Sequence, residues 1–120
     1  MAEKSIQKKV VSYARKHGHI ALKVNVGSQK GWPDYLFIDK EGYHYWIEFK
    51  NVGEKPSQFQ VYRASLLMQR GVAVFLCDNY EQGKEIIDAV ESARVSGKGN
   101  KDASESRERR IIVGSGIRKD

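Results

Sequence analysis

Residues 31–50, GWPDYLFIDKEGYHYWIEFK, carry the pattern that organises the rest of the 120-residue chain. Asp34 to Asp39 is a short apolar run, Lys40-Glu41-Gly42 has turn composition, and Tyr43 to Lys50 is a second run. Two β-prone runs joined by a short glycine-containing turn predict a hairpin. Successive side chains of a strand alternate faces, so Tyr45, Ile47 and Phe49 share one face and Trp46, Glu48 and Lys50 share the other. The first set has the composition of a core. The second places a carboxylate and an ammonium in strongly apolar surroundings, which is costly unless they are solvated, paired or bound to a cation.

Outward from the hairpin, the apolar period changes in a regular order. Upstream, residues 3–17 repeat Ile6, Val10, Val11, Tyr13 and Ala14 at helical spacing, and Gly18 follows as a C-terminal stop. His19–Val26 switches to period two, which predicts a strand burying Ile20, Leu22, Val24 and Val26. Gly27–Pro33 (GSQKGWP) is a loop. Downstream, Asn51–Pro56 is a second loop and Ser57–Arg70 a helix whose Phe59, Tyr62 and Leu66 form an apolar stripe. Val72–Cys77 is a continuous apolar run of the kind found in interior strands. Gln82 to about Ser96 is a last helix, burying Ile86, Ile87, Val90 and Ala93. The order α-β-β-β-α-β-α predicts an α/β fold with a mixed central sheet flanked by helices.

Composition limits what such a chain can be. With 40% hydrophobic residues it can build one core, so one domain is expected over residues 1–96. Residues 97–110 (GKGNKDASESRERR) contain no large apolar side chain and cannot repay ordering by burial, so 97–120 reads as a flexible basic tail. Ile111–Val113 could add a small strand or anchor to a partner chain. No stretch of 18 or more apolar residues predicts a membrane helix, and the N-terminus lacks a signal-type apolar region. The single Cys77 excludes an internal disulfide framework and a zinc ribbon, and points to a reducing cytoplasm. No phosphate-binding glycine motif is present, so no nucleotide cofactor is expected. The net charge of +6 is uneven: residues 1–93 hold 13 basic and 11 acidic groups, residues 94–120 hold 8 and 4. A basic excess points to a polyanion, most often nucleic acid.

The hairpin suggests what is done to that polyanion. It can bring Asp34 beside Glu48, and two carboxylates held together repel and raise the pKa of at least one. A hard divalent cation, Mg²⁺ or Mn²⁺, relieves that repulsion and can activate water and stabilise charge on a phosphate. Lys50 could orient or deprotonate the water, or neutralise the transition state. A solvated surface ion pair is the plain competing reading. The fixed approach of Gly31-Trp32-Pro33 and the apolar flanks favour the metal-assisted one.

The series Gly31-x-Pro33-Asp34, Glu48-x-Lys50 and Ser57-x-x-Gln60 resembles the PD-(D/E)XK nuclease superfamily, and within it the virus-type replication-repair nuclease (VRR-NUC) branch. The resemblance covers residues 3–90 and implies a restriction-endonuclease-like core. It implies Asp34 and Glu48 as metal ligands with the Phe49 backbone carbonyl, and Lys50 as the catalytic lysine. Glu3 matches the family's acidic position on the first helix; an acidic residue favouring a helix N-terminus explains it equally well. Gln60 matches the family's glutamine after the catalytic strand, while Ser57-x-x-Gln60 is also a capping box. Lys30, Gln29 and Ser28 are candidates to meet DNA, and Trp32 could stack on a base or pack on the hairpin. His17, His19 and His44 lack metal-ligand spacing, and Cys77 reads as a buried inert thiol.

The function expected on these grounds is a metal-dependent, structure-specific DNA endonuclease. Short stand-alone members of this family resemble Holliday junction resolvases, homodimers found in phages or bacteria, which would place this chain in a bacterial host cytoplasm. A two-fold dimer suits a two-fold junction, with Leu67, Met68 and Ile111–Val113 as candidate interface residues. Flap, nicked or site-specific substrates are the first alternative, and a non-catalytic DNA-binding domain the second.

Overall fold

The computed structural model describes residues 2–95, 110–112 and 117–119, and side chains up to Ala93. Helix α1 (Glu3–Lys16) leads into strands β1 (Ile20–Lys23), β2 (Tyr35–Ile38) and β3 (His44–Phe49). Helix α2 (Gln58–Gln69) crosses to β4 (Ala73–Cys77), and α3 (Tyr80–Val95) follows. Short strands β5 (Arg110–Ile112) and β6 (Ile117–Lys119) pair with each other and lie against β4. Of the flexible tail expected over residues 97–120, only 110–112 and 117–119 are described, as these two strands; the rest of that reading falls outside the described residues. The main sheet has the order β1-β2-β3-β4, antiparallel except for the parallel β3–β4 pair. This is the expected mixed sheet flanked by helices. Among the described residues, no helix is long and apolar enough to cross a membrane.

Register fixes which residues share a face. Phe37 opposes Tyr45, and Tyr45 opposes Ala73, so Phe37, Tyr45, Ile47, Phe49, Phe75 and Cys77 line one side of the sheet. All are buried, together with Ile6, Val10 and Ala14 of α1 and Ile86, Ile87 and Val90 of α3. The Phe37 and Tyr45 rings stack at 5.2 Å. Each fully buried apolar side chain of this kind is worth about 1.5–3 kcal/mol. The helices can approach because Gly83 faces Val10: a Cβ there would lie 2.3 Å from a Val10 methyl. Gly83→Val is therefore expected to cost about 1–3 kcal/mol through overpacking, lowering the melting temperature, and Val10→Ala in the same chain should recover part of the loss.

The opposite sheet face carries α2, and three expectations change there. Val74 and Leu76 are buried under Ala64, and Leu67 and Met68 pack against them while staying partly exposed. The stripe expected to bury Phe59 and Tyr62 points outward: they are 59% and 57% exposed. A single small residue, Ala64, is the buried centre of α2, because the helix sits close over β4 and turns its bulkier flank away. The face of β1 is likewise reversed. Ala21 is buried and Ile20 and Leu22 are exposed, because α1 packs behind Ala21 and no described element covers the other side. β4 is the last strand of this sheet, not an interior one; its unbroken apolar run reflects helices on both faces.

Candidate active site

The site begins where β2 and β3 end. Lys50 N–H donates to the Cys77 carbonyl at 2.9 Å, fixing which edge of β3 faces β4. Main-chain groups of successive strand residues point to opposite edges, so the Phe49 N–H and C=O face the end of β2, where Asp34 stands. Gly31 shapes the loop before Asp34. Its φ of +91° suits glycine, and a Cβ there would lie 2.5 Å from the Phe59 backbone, so the loop is seated directly on α2. Arg63 reinforces that seat: its Nε donates to the Lys30 carbonyl at 3.1 Å, and its guanidinium covers the Trp32 ring at 4.7 Å.

Two glutamines hold the carboxylates. The Ser57–Gln60 capping box is formed: Ser57 N–H donates to Gln60 Oε1 at 2.8 Å, and Gln60 N–H donates to Ser57 Oγ at 3.2 Å. The other end of the same amide, Gln60 Nε2, donates to Glu48 Oε2 at 3.0 Å. The two readings of Gln60 thus coexist, and capping aims its amide at the site. Gln7 does the corresponding work from α1, donating to Glu3 Oε2 at 3.2 Å and Asp34 Oδ2 at 3.4 Å. Sequence reading passed over Gln7. Its signal is positional: a buried polar residue inside the apolar stripe of α1, four residues after Glu3. The start of α1 is tied down in turn, since Glu3 N–H donates to Asn51 Oδ1 at 2.8 Å and the Asn51 amide is held by Glu54.

Electrostatically the cluster is short of positive charge. Glu48 and Lys50 are 6% and 8% exposed, so neither sits on a wet rim. Burial, then Asp34, pushes the Glu48 carboxyl up to about 8, with Lys50 pulling the other way. Burial also raises Asp34, against the pull of main-chain hydrogen bonding, Lys23 and Lys50. Glu3 is raised by burial and by Asp34. Four carboxylates, Glu3, Asp34, Glu48 and Glu54, thus face two lysines, Lys23 and Lys50. Among the described residues, Lys50 Nζ forms an ion pair only with Glu54, at 3.8 Å. Asp34 Oδ1 and Glu48 Oε1 are buried with no hydrogen-bond partner among those residues. Unpartnered carboxylate oxygens in a buried acidic cluster fit a hard divalent cation, whose oxygen ligands Asp34, Glu48 and the Phe49 carbonyl could supply.

No family model matches the sequence. The chain is 35% identical over 79 residues, 66% of its length and 85% of the relative's, to "Putative nuclease p44" of Acyrthosiphon pisum secondary endosymbiont phage 1. A solved structure described as a VRR_NUC domain matches with a TM-score of 0.67 and 25% identity, covering 72% of this chain and 94% of that one. The chain belongs to the VRR-NUC nuclease family.

The VRR-NUC fold gathers some of the expected residues and not others. Asp34, Glu48, Lys50, Gln60 and Glu3 converge as described. Ser28, Gln29 and Lys30 are exposed in the loop, with Gln29 Oε1 accepting from Trp32 Nε1 at 2.8 Å. Trp32 is half-buried, hydrogen-bonded to Gln29 and covered by the Arg63 guanidinium from α2. Cys77 is buried, its thiol pushed up to about 12 by burial, consistent with an inert role. His44 is exposed, whereas His17 and His19, set aside for lack of ligand spacing, meet acidic residues that α3 supplies from far along the chain.

Proposed function

We propose that this nuclease is a divalent-metal-dependent endodeoxyribonuclease that cuts branched DNA, four-way junctions by preference, as a homodimer. The observation that carries the reading is the pair of buried, unpartnered oxygens of Asp34 and Glu48 beside the buried Lys50. Mg²⁺ or Mn²⁺, when bound, supplies Lewis-acid activation of water and neutralises phosphate charge. Asp34, Glu48 and the Phe49 carbonyl would hold the ion, with Glu3 as an outer acidic partner. Gln60 and Gln7 keep the two carboxylates from turning away. Lys50 Nζ places a positive charge where the scissile phosphate or the attacking water would lie.

The substrate and the assembly rest on surface properties. Ile20 and Leu22 on the uncovered end of the sheet face, with Phe59 and Tyr62 on α2, are exposed apolar side chains. They are the surface offered for pairing, since exposed apolar patches mark interaction sites. A two-fold pair joined there would present two sites to opposite strands of a symmetric junction. The basic C-terminal segment adds salt-sensitive phosphate affinity without selectivity.

The test is cleavage of a four-way junction, a flap and plain duplex, each with Mg²⁺, Mn²⁺ or EDTA. Paired symmetric nicks in the junction, abolished by EDTA and by Asp34→Ala, are expected. Equal cutting of all three substrates would remove the junction preference and leave a general nuclease. Sedimentation showing only monomer would remove the paired-cut arrangement. DNA binding with no cleavage under any metal would favour a non-catalytic domain.

A further inference from the structure

A second group of ligand-type side chains lies at the far end of α1. His17 follows the last turn of that helix, and α3 sets Asp88 and Glu91 beside it. One ligand atom from each of these three lies within 4.8 Å of the others. Glu91 Oε1 is 2.8 Å from His17 Nδ1, and Glu91 Oε2 is 3.7 Å from His19 Nε2. The His19 side chain is only 1% exposed. Its Nδ1 is hydrogen-bonded to the Tyr45 hydroxyl at 2.7 Å, and its Nε2 has no hydrogen-bond partner among the described residues. A buried polar atom left bare is costly. Here the bare nitrogen is aimed at a carboxylate that already contacts a second imidazole.

We propose that His17, Asp88 and Glu91, with the buried His19 Nε2 turned toward Glu91 behind them, form a site for a divalent transition metal of the Zn²⁺ type. An imidazole with two carboxylates is a donor set that Zn²⁺ accepts, and nitrogen ligation is one that Mg²⁺ does not favour. The surroundings supply what ligating groups need behind them. Tyr45 holds the far nitrogen of His19, and the Tyr13 hydroxyl donates to Asp88 Oδ1 at 2.6 Å. Such outer contacts fix ring orientation and ligand basicity. His17 and Glu91 side chains are 34% and 33% exposed, which leaves an entry path. A 14-residue helix spans about 20 Å, so this site is separate from the acidic cluster at Glu3. The bound ion would pin the end of α1 and the start of β1 to α3.

The experiment is titration of the full chain with Zn²⁺ in excess Mg²⁺, followed by calorimetry and thermal unfolding. One Zn²⁺ per chain and a melting-temperature rise of roughly 5 °C are expected. Both should persist in Glu48→Gln, which disables the other cluster, and vanish in His17→Gln and Glu91→Gln. Co²⁺ in place of Zn²⁺ should give a visible absorption band that the same two variants lose. No response, or an equal response in wild type and both variants, overturns the proposal. Should either variant fail to fold, the His17 and His19 ring resonances of the wild type decide, and signals unmoved by Zn²⁺ overturn it.

Discussion

Lys50→Met should lower turnover on DNA by roughly 10³-fold, about 4 kcal/mol of transition-state stabilisation, while the chain stays folded. The substitution suits the position. Lys50 is 8% exposed, and its ammonium makes one long ion pair, 3.8 Å from Glu54, so an apolar side chain of similar length fits the same channel at little cost. What is lost is the positive charge beside Asp34 and Glu48. If that charge acts on the transition state, kcat falls and KM changes little; if it only holds DNA, KM rises and kcat is kept. A second signature separates a chemical from a packing role. Lys50 lowers the pKa of both Asp34 and Glu48, so its removal should shift the pH dependence of metal binding upward. Steady-state kinetics with a pH series in Mg²⁺ check both points. Retention of a tenth or more of wild-type turnover would dismiss Lys50 as a catalytic residue.

Glu48→Gln should abolish cleavage and yet raise the stability of the metal-free protein. In the unfolded chain Glu48 titrates near its ordinary value of 4.5, and in the fold near 8. Below about 4.5 both states hold the proton, and Glu48 adds no pH dependence. Between the two values the folded state binds the proton more tightly, so stability falls as pH rises, and the loss is complete above 8. Asp34, also raised, adds to the loss in the same direction. The neutral amide that the substitution introduces still accepts from Gln60 and carries no charge to bury. The melting temperature of the variant in EDTA at pH 8.5 should exceed that of wild type by roughly 5–10 °C, and the gap should close toward pH 4. Added Mg²⁺ should restore the wild type and leave the variant unmoved, since the substitution removes one of the two charged ligands proposed for the ion. Thermal unfolding at several pH values, with and without Mg²⁺, reads all three. Higher stability in the inactive variant would mark Glu48 as a residue kept for function at the expense of stability, a familiar trade. A variant no more stable than wild type at pH 8.5 would show instead that burial puts no strain on Glu48.

Much of the fold was legible in the chain because the relevant signals are local. The alternation of Tyr45, Ile47 and Phe49 against Trp46, Glu48 and Lys50 is a property of strand geometry, and the structure keeps it. The capping box at Ser57 and Gln60 needs only four consecutive residues. The errors share one cause. Ile20, Leu22, Phe59 and Tyr62 are apolar at the right spacing, but spacing says which residues share a face, not whether another element covers it. Gln7 was missed for the converse reason, since a polar residue in an apolar stripe gains meaning only when Asp34 arrives beside it from another part of the chain.

The sequence alone therefore determined the order of elements through α3 and the face on which Glu48 and Lys50 stand, which depend on backbone periodicity and on residue types at short spacing. Its motifs also resembled those of the nuclease family. Only the tertiary structure decided that one Gln60 amide serves both helix and carboxylate, and that Gln7 joins Glu3 to Asp34. It also decided that two carboxylate oxygens end up buried without partners, and that His17 and His19 meet Glu91. Each of these depends on where distant segments come to rest, which is set by how α1, α2 and α3 pack on the sheet.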